Sequence, residues 1–326
     1  MAALASSSAA AVAFGTRKLY ILTDAGKPIW WLDPDVDDGD QENIAPMMGL
    51  ITAVIGFAEM RKDAIKAVVA GRSRIVLLTR GSLVLMAVSS LDESESYLSL
   101  LLEALYQQIL FVLTARVHQV LASSSSYDLR NLLGGTQNVM KGLATKGLHD
   151  LGILTGSVRS LWVQPAVRHE ANRILATAQA QNPDILYGIM LVGDRVLTVL
   201  QPKAAEHHLH TTDLMLVINF VTTQPAFKGT ESWTPLCLPR FNATGFLYSY
   251  IGFLDDASET CLMFISASQK PETFHLLQQW KGAVVDALTR DNTLRAIQTA
   301  REEEEKRPCD QRYGQVAAGG NTGGSG

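Results

Sequence analysis

Cysteine is scarce in this sequence, and its apolar runs are short. The 326 residues hold three cysteines, Cys237, Cys261 and Cys309, which form no CxxC pair and leave an odd one. Scattered cysteines of odd number indicate reduced thiols in a cytosolic protein. The uncharged run at residues 44–58 is shorter than the ~20 residues that span a bilayer, so we do not expect a transmembrane helix there.

An excess of positive charge and the common nucleotide or catalytic motifs are also missing. The net charge is −4, whereas nucleic-acid binders usually carry a strongly basic surface. The chain contains no GxxxxGK[ST], no GxGxxG after a strand, no GxSxG, no HExxH and no EF-hand loop. The sequence therefore predicts an interaction protein that binds no nucleic acid, has no catalytic residue and needs no cofactor.

Two polar clusters contain residue types that can bind metals. The first comprises His207, His208 and His210, and the second comprises Asp35, Asp37, Asp38 and Asp40. Adjacent histidines seldom both point at one ion, and the aspartates lack the glutamate that closes a calcium loop. We interpret both clusters as solvated loops and predict no metal site. A metal hydrolase that uses the three histidines is the alternative, and metal analysis of the purified protein tests it.

The segment at residues 43–60 is apolar on every face of a predicted helix. Asn43 can cap its start, and Pro46 falls in the predicted first turn, where a missing N–H costs little. A surface helix should show a polar stripe, so this helix is expected to be buried on two sides. Its own sheet can cover one side, and a partner can cover the other. The alternative is a central helix of one large core.

The same helix carries a strip of small residues. Gly49, Ala53 and Gly56 fall at positions i, i+4 and i+7, so they lie on one side of the helix. Another backbone can approach closely there.

The order of predicted elements occurs twice along the chain. The first copy has strands at 17–23 and 28–32, the helix at 43–60, strands at 65–70, 74–80 and 83–89, and a helix to about residue 114 that Ser94 or Asp92 caps, followed by short helices at 117–121 and 128–143. The second copy has strands at 186–192 and 195–201, a helix at 213–222 that Thr211 or Thr212 caps, strands at 232–238, 245–253 and 260–268, and a helix at 271–288. A repeated β-β-α-β-β-β-α order is hard to obtain by chance and predicts two α+β domains with antiparallel sheets.

This order sets the predicted domain bounds. We expect a flexible tail at 1–16, a first domain at 17–146, a connector with a helix at 147–183, a second domain at 184–290 and a charged helix or linker tail at 291–326. In the second copy the helix at 213–222 begins with Asp213 and carries Asn219. Only the first copy is therefore expected to be buried on both faces. The LLGGT segment at 132–136 lacks a phosphate-loop lysine and is expected to end a helix.

Tryptophan residues give the most specific single-residue predictions. Trp233 lies between polar neighbours, and Pro235 cannot donate to a ladder, which favours an edge strand. Trp233 is thus either a binding hot spot or a residue that folds inward over the second core. Because neighbouring strand residues face opposite ways, one of Trp30 and Trp31 should lie in the core and the other outside.

Four segments resemble a known family. These are KLYILTDAGKPIW at 18–30, MMGLITAVIGF at 47–57, YDLRNLLGG at 127–135 and ESWTPLCLPRFNATGFLYSYIGFLDD at 231–256. They resemble the Mon (SAND) vacuolar-fusion proteins over nearly all of residues 18–288, and SWTPLCLPRFN is the most specific block. The resemblance implies tandem longin domains, each with a five-stranded antiparallel sheet in the order β-β-α-β-β-β-α. That family carries three longin domains, and a third is not recognisable after Arg290.

The resemblance also implies a function. Mon proteins pair with a Ccz-type longin subunit and act as the guanine-nucleotide exchange factor of a late-endosomal or vacuolar Rab GTPase (the Rab-seven or Ypt class), by remodelling its switch regions. An early-endosomal Rab acts upstream. The expected location is cytoplasmic and peripheral on the late-endosomal or vacuolar membrane, through the complex. The alternative is a longin-type trafficking adaptor or tether subunit without exchange activity, which a GDP-release assay distinguishes.

The predicted contact residues follow from these expectations. In family terms, the strip of Gly49, Ala53 and Gly56 packs against the equivalent helix of the Ccz-type subunit. From their position alone, we assign five residues to the GTPase platform: Trp30, Trp31, Met47, Met48 and Ile51. Trp233 is assigned to recruitment by the upstream Rab.

Overall fold

The computed structural model describes residues 15–36, 41–61, 65–124, 127–146, 151–180, 184–203, 207–255 and 259–306. The first elements are β1 (Arg17–Thr23), β2 (Pro28–Leu32), α1 (Gln41–Met60), β3 (Ala67–Ala70), β4 (Ser73–Arg80), β5 (Leu83–Ser89), α2 (Glu95–Leu113), α3 (Arg116–Ser123), α4 (Gln137–Lys146) and α5 (Gly152–Thr155). They are followed by α6 (Pro165–Ala180), β6 (Ile185–Val192), β7 (Arg195–Leu200), α7 (Thr211–Thr223), α8 (Ala226–Gly229), β8 (Ser232–Leu236), α9 (Pro239–Asn242), β9 (Leu247–Phe253), β10 (Thr260–Ser266), α10 (Pro271–Arg290) and α11 (Thr293–Lys306).

These elements form two compact units, each with one sheet. The first unit comprises the residues up to Tyr106 together with Arg116–Gly135, and the second comprises Gln107–Ala115 and the residues from Thr136 onward. The strand orders are β2-β1-β5-β4-β3 and β7-β6-β10-β9-β8, and all pairs between neighbouring strands are antiparallel. The predicted α+β class with two five-stranded antiparallel sheets is therefore confirmed.

In the first unit α1 covers one face of the sheet. Tyr20 and Leu22 of β1 and Met86 of β5 form a buried cluster with Ile44 and Met48 of α1. Strand residues alternate between faces, so the intervening buried residues of β1 and β5 face the other way.

Helix α2 is a core helix with a well-defined start. Ser94 accepts a hydrogen bond from the backbone N–H of Tyr97 (3.1 Å), which confirms Ser94 as its cap. By length and composition alone the helix could cross a membrane, but 56% of the relevant window is buried inside the protein. A mostly buried apolar helix is typical of a protein core.

The second unit contains three helices on one face of its sheet. Helices α6, α10 and α11 contribute Leu175, Leu277 and Ile297 to one buried cluster with Met190 and Phe264 of the strands. The predicted connector helix and the predicted charged tail are therefore parts of this core. The charge-dense end of α11 also binds back to the sheet, because Glu304 forms an ion pair with Arg195 of β7 (3.0 Å).

Helix α4 was assigned by the sequence to the first domain but packs on α7 in the second unit. It begins at Gln137, nine residues later than predicted. The side chain of Asp128 accepts hydrogen bonds from the backbone N–H and the guanidinium of Arg130, which favours a turn over a helix. The glycines of LLGGT consequently precede a helix instead of ending one, and Gly135 adopts φ +83°.

Two helix starts also differ from their predictions. Helix α1 already includes Gln41, so Asn43 lies within it and Pro46 occupies the second turn. Helix α7 begins at Thr211, and His210 is its cap, because its Nδ1 accepts from the backbone N–H of Thr212 (3.1 Å). An imidazole nitrogen here replaces the hydroxyl that the sequence suggested.

Candidate functional site

The outer face of α1 is apolar and exposed. Its inner side chains Ile44, Met48 and Ile51 are buried, whereas Leu50 is 57% and Phe57 is 54% exposed. The sequence analysis selected the small residues of this face and missed these two large ones, which are separated by two helical turns and share one side. Contiguous exposed apolar surface is typical of interaction sites, so whether this face binds a partner stays a prediction.

The small-residue strip lies on the exposed side of α1. Gly49 and Ala53 are exposed and Gly56 is half-buried. A Cβ atom added at Gly49 or at Gly56 would meet no atom within 4 Å. The structure therefore brings these residues together on one open surface, and whether a partner covers it stays a prediction.

A groove runs between α1 and the turn that joins β1 to β2. Ala25, Gly26 and Pro28 line one side, and Gly49 and Thr52 lie on the other. Gly26 adopts φ +81°, and a Cβ there would lie 2.6 Å from Thr52 Oγ1, so only glycine fits. The groove has no charged residue among its described lining.

Strand β3, one of the two edge strands of the first sheet, adds backbone hydrogen-bonding groups to the same unit. Among the described residues β3 pairs only with β4, and Val69 is 70% exposed. A short, apolar edge strand without a covering element can accept a strand from another chain.

The GTPase-platform prediction needs a correction. Trp30 is only 4% exposed, and Met48 and Ile51 are buried in the core of the first unit, so these three side chains are not on its surface. Trp31 and Met47 are half-buried and pack against the α1 cluster. Trp31 is not simply outside, because it packs against the cluster under α1, while Trp30, on the opposite face of β2, is also buried.

The acidic loop after β2 begins with an ordered ion pair. Lys18 Nζ lies 2.9 Å from Asp33 Oδ1 and 2.6 Å from Asp35 Oδ2, and the Tyr20 hydroxyl donates to Asp33 (2.5 Å). Burial raises the pKa of Asp33, but the hydrogen bonds from Tyr20 and Lys18 outweigh it and hold that pKa below its usual value. Asp37, Asp38 and Asp40 of the predicted cluster lie outside the described residues.

Trp233 lies on β8, which is an edge strand as Pro235 indicated. Its ring stacks on Tyr248 (centroids 5.8 Å apart, 28° between planes) and approaches Phe274 of α10 (6.5 Å). The half-buried indole therefore packs against the second core, as the inward alternative expected. Its assignment to upstream Rab recruitment stays a prediction.

The histidine cluster makes separate contacts. His207 packs edge-on against Phe241 (6.1 Å) and accepts, through its carbonyl, the Tyr187 hydroxyl, while His210 caps α7. Within the described ranges no three His, Cys, Asp or Glu residues group in a way that could hold a metal ion.

The LCLPRFN block is organised by a buried carboxylate that the sequence analysis did not select. Asp213, in the first turn of α7, accepts the backbone N–H groups of Arg240 (3.1 Å) and Phe241 (3.2 Å) at the start of α9. Burial raises the pKa of Asp213 to about 6, although those N–H groups partly offset it. In the same block, burial raises the pKa of the Cys237 thiol to about 12. These contacts give the block a structural role.

Comparisons with known proteins connect these features to a family. Residues 17–143 match the description "First Longin domain of FUZ, MON1 and HPS1", and residues 183–286 match "Second Longin domain of FUZ, MON1 and HPS1". The chain belongs to this family. Its two sheets are the two longin domains, and the resemblance to the Mon (SAND) proteins is confirmed.

Similar proteins carry matching names. "Protein SAND" of Takifugu rubripes is 32% identical over 285 residues, which cover 87% of this chain and 53% of the relative. "Vacuolar fusion protein MON1" of Yarrowia lipolytica is 33% identical over 298 residues (90% and 52%), and "Vacuolar fusion protein MON1 homolog A" of Gallus gallus is 30% identical over 285 residues (87% and 50%). The chain spans about half the length of these relatives.

Proposed function

We propose that this chain acts in vacuolar fusion and endosomal traffic as the longin subunit of a heterodimeric guanine-nucleotide exchange factor. Its partner is a Ccz-type longin subunit, and its substrate is a late-endosomal or vacuolar Rab GTPase. The observation that carries the proposal is the uncovered apolar face of α1 in a domain of the MON1 type. The relatives named as vacuolar fusion proteins support the trafficking role.

The exposed face of α1 supports the heterodimer. Leu50 and Phe57 offer large apolar side chains, and the small exposed residues Gly49 and Ala53 beside them leave room for a second helix. Burying one such side chain contributes about 1.5–3 kcal/mol, so this face can supply the centre of a stable interface. The free edge of β3 offers main-chain groups to the partner's sheet.

Nucleotide exchange requires neither a nucleophile nor a metal ion on the surface of the exchange factor. An exchange factor accelerates release by binding the nucleotide-free GTPase more tightly than the nucleotide-bound form. The binding surface only has to favour an altered conformation of the switch regions. Of the five residues assigned to this platform, Met47 and Trp31 retain partial exposure and are kept in the proposal.

We also propose the cellular setting from the same relatives. The chain is expected in the cytoplasm, peripheral on late-endosomal or vacuolar membranes, held there through its complex and through an upstream early-endosomal Rab. Microscopy of the tagged full-length protein tests this. A uniform cytosolic signal with the partner present would contradict it.

The direct test is release of fluorescent GDP from the late-endosomal Rab. The co-purified heterodimer should accelerate release, and neither subunit alone should do so. An assembled heterodimer that binds the Rab without acceleration would favour a tether or adaptor. Gly49→Leu should prevent assembly while the circular dichroism spectrum stays that of the wild type. Ala283→Leu, on the exposed face of α10, is the matched control.

A further inference from the structure

The outer face of α7 is covered by the chain itself, although the sequence predicted burial on both faces for α1 only. Asn219 of this face is 1% exposed, and its Nδ2 group donates to the Val139 carbonyl of α4 (2.8 Å) and to Gln108 Oε1 of α2 (3.0 Å). A Cβ added to Gly142 of α4 would lie 2.3 Å from Thr223 Cγ2, so α4 crosses α7 closely at that glycine. The prediction was wrong because these two segments supply both the cover and the acceptors for the Nδ2 group.

The oxygen of the same Asn219 amide is not satisfied in this way. Oδ1 is buried and accepts no hydrogen bond from any residue that the structure describes. A buried acceptor without a donor is costly, and native proteins leave few of them. The Asn219 oxygen is therefore suited to a donor that another molecule brings.

A small cavity lies beside Asn219, between α4, α5 and α7. Its volume is about 50 Å³, and because one water needs about 10–15 Å³ of such space, it has room for about three non-hydrogen atoms. Apolar side chains form most of its wall: Leu143, Ile153, Val158, Met215 and Ile218. The ion pair between Arg159 and Asp194 (2.6 Å) is partly exposed and lies at the mouth. Since these two charges neutralise each other, a neutral group fits inside better than a charged one.

The segment at residues 151–162, whose first part forms the outer wall of the cavity, presents apolar side chains to solvent. Leu151 is 64%, Leu154 is 47% and Trp162 is 68% exposed. They are three of the four exposed large apolar side chains in the described part of the second unit, and the fourth is Phe246. Exposed apolar side chains concentrated beside a cavity are typical of a surface that binds another polypeptide.

The sheet of the second unit holds this segment in place. The backbone N–H of Leu161 donates to the Val196 carbonyl of β7 (2.9 Å), and the N–H of Val196 donates to the Arg159 carbonyl (2.9 Å). The Leu161 side chain is buried in the second core, and Arg168 of α6 donates to the Leu161 carbonyl (2.5 Å). Trp162 follows directly, so its backbone is fixed before binding and little ordering entropy is lost there.

We propose that residues 151–162 and the cavity behind them bind a segment of a partner protein that inserts a threonine or serine side chain. The hydroxyl donates to Asn219 Oδ1, and apolar residues on either side of it pack on Leu154 and Trp162. A threonine side chain has three non-hydrogen atoms and a neutral donor, so it matches both the volume and the charge of the cavity. This surface lies in the second longin domain and is independent of the proposed function, which rests on α1.

Selection of peptides on the full chain tests the proposal. Random peptides displayed on phage are panned on the immobilised chain, and the enriched sequences should share a threonine or serine between apolar residues. A synthetic peptide of the enriched sequence is then compared with one in which valine replaces that threonine, which keeps the shape and removes the hydroxyl. The valine peptide should bind about 5- to 150-fold more weakly, because Asn219 Oδ1 then stays buried without a donor.

Variants of exposed residues locate the binding surface without disturbing the core. Leu154→Ser and Trp162→Ala should each weaken binding of the threonine peptide about tenfold or more, because each removes apolar contact area. Phe246→Ala is the matched control, since it removes an exposed apolar side chain of the same unit outside this segment, and it should bind as the wild type. Circular dichroism checks that all three variants fold.

Three results would overturn the proposal: no shared motif among the selected peptides, equal affinity of the threonine and valine peptides, or wild-type affinity of Leu154→Ser and Trp162→Ala. A crystal structure with the peptide in which ordered water alone contacts Asn219 Oδ1 would also overturn it. Self-association of the chain that Leu154→Ser abolishes would show that a second copy occupies the surface and would overturn the choice of partner. None of these results changes the expected GDP release by the heterodimer.

Discussion

Substitution of Gly142 by alanine tests the close crossing of α4 and α7. In an open helical position this change stabilises a protein by about 0.5–1 kcal/mol, because alanine has the higher helix propensity. At Gly142 the new Cβ would lie 2.3 Å from Thr223 Cγ2 and 3.2 Å from Asn219 Oδ1. The first distance is well inside van der Waals contact, so α4 or Thr223 must move.

The expected result combines these two effects. Overpacking costs about 1–3 kcal/mol, which exceeds the propensity gain, so Gly142→Ala should lower the free energy of unfolding by up to about 2 kcal/mol. Gly282→Ala on α10 is the matched control, because a Cβ there would meet no atom within 4 Å, and it should stabilise by about 0.5–1 kcal/mol. Urea unfolding followed by circular dichroism measures both.

A second substitution separates the clash from other causes. Thr223→Ser removes Cγ2 but keeps the hydroxyl, which donates to the carbonyl of Asn219 (2.6 Å). Combined with Gly142→Ala, it should recover about 1 kcal/mol relative to the sum of the single changes. If Gly142→Ala stabilises as much as Gly282→Ala, then α4 and α7 are not in close contact at Gly142.

Three further predictions follow from individual contacts. The pKa of Asp213 is about 6 in the folded chain against an ordinary 3.8, so the folded state binds more protons than the unfolded state between these pH values, and the free energy of unfolding falls as the pH rises through that window. The side-chain oxygen of Asp213→Asn still accepts from Arg240 and Phe241, so this variant should gain about 1–3 kcal/mol over the wild type between about pH 4 and about pH 7. Urea titrations measure the difference, and a difference that does not change with pH would refute the buried charge. Trp233→Ala should destabilise the second unit by about 2–3 kcal/mol, because the indole loses its packing on Tyr248 and Phe274, and Trp233→Phe should have an intermediate effect. If Trp233→Ala instead leaves the melting temperature unchanged but abolishes binding to the early-endosomal Rab, Trp233 has a role in recruitment. Gly26→Ala should lower the free energy of unfolding by about 1–3 kcal/mol, because Gly26 has φ +81° and the new Cβ would lie 2.6 Å from Thr52 Oγ1. Gly71→Ala, which is also at positive φ but in open space, should lower it by less. Equal losses in the two variants would show that the backbone conformation alone sets the cost.

The sequence predicted the strands well because their signals are local. Alternating β-branched residues and glycine turns such as Gly71, Gly81 and Gly193 define the hairpins, and all three glycines have positive φ. The repeat then fixed the order of elements in both domains. Strand bounds differ by only a few residues, as for β3, which is predicted from 65 and observed from Ala67.

The packing of α4 could not be predicted from local patterns. The first-longin match extends to residue 143, as the predicted bounds expect, but α4 packs on α7, where Gly142 meets Thr223, a residue 81 positions away (223 − 142). Likewise, Asn219 looked like a mark of a solvated face. The acceptors of its Nδ2 group, Gln108 Oε1 and the carbonyl of Val139, come from distant segments, so the sequence around Asn219 does not show them.

The residues predicted for the GTPase platform also depend on packing that the local sequence does not show. Trp30, Met48 and Ile51 were assigned to the GTPase platform from their position alone. A periodic pattern does not show which side of an all-apolar helix faces its own sheet, and the structure turns Met48 and Ile51 inward. Leu50 and Phe57 are the exposed residues that the same reasoning passed over.

We propose that the exposed face of α1 joins this chain to a second longin subunit and that the pair acts as an exchange factor for a Rab GTPase. The most direct measurement is release of fluorescent GDP from the late-endosomal Rab, with the heterodimer titrated from below to above its dissociation constant. The account predicts acceleration by the wild-type pair, with a midpoint shifted about 10- to 100-fold upward by Ala53→Leu and unchanged by Ala283→Leu. An assembled wild-type pair that leaves the release rate at its intrinsic value would contradict it.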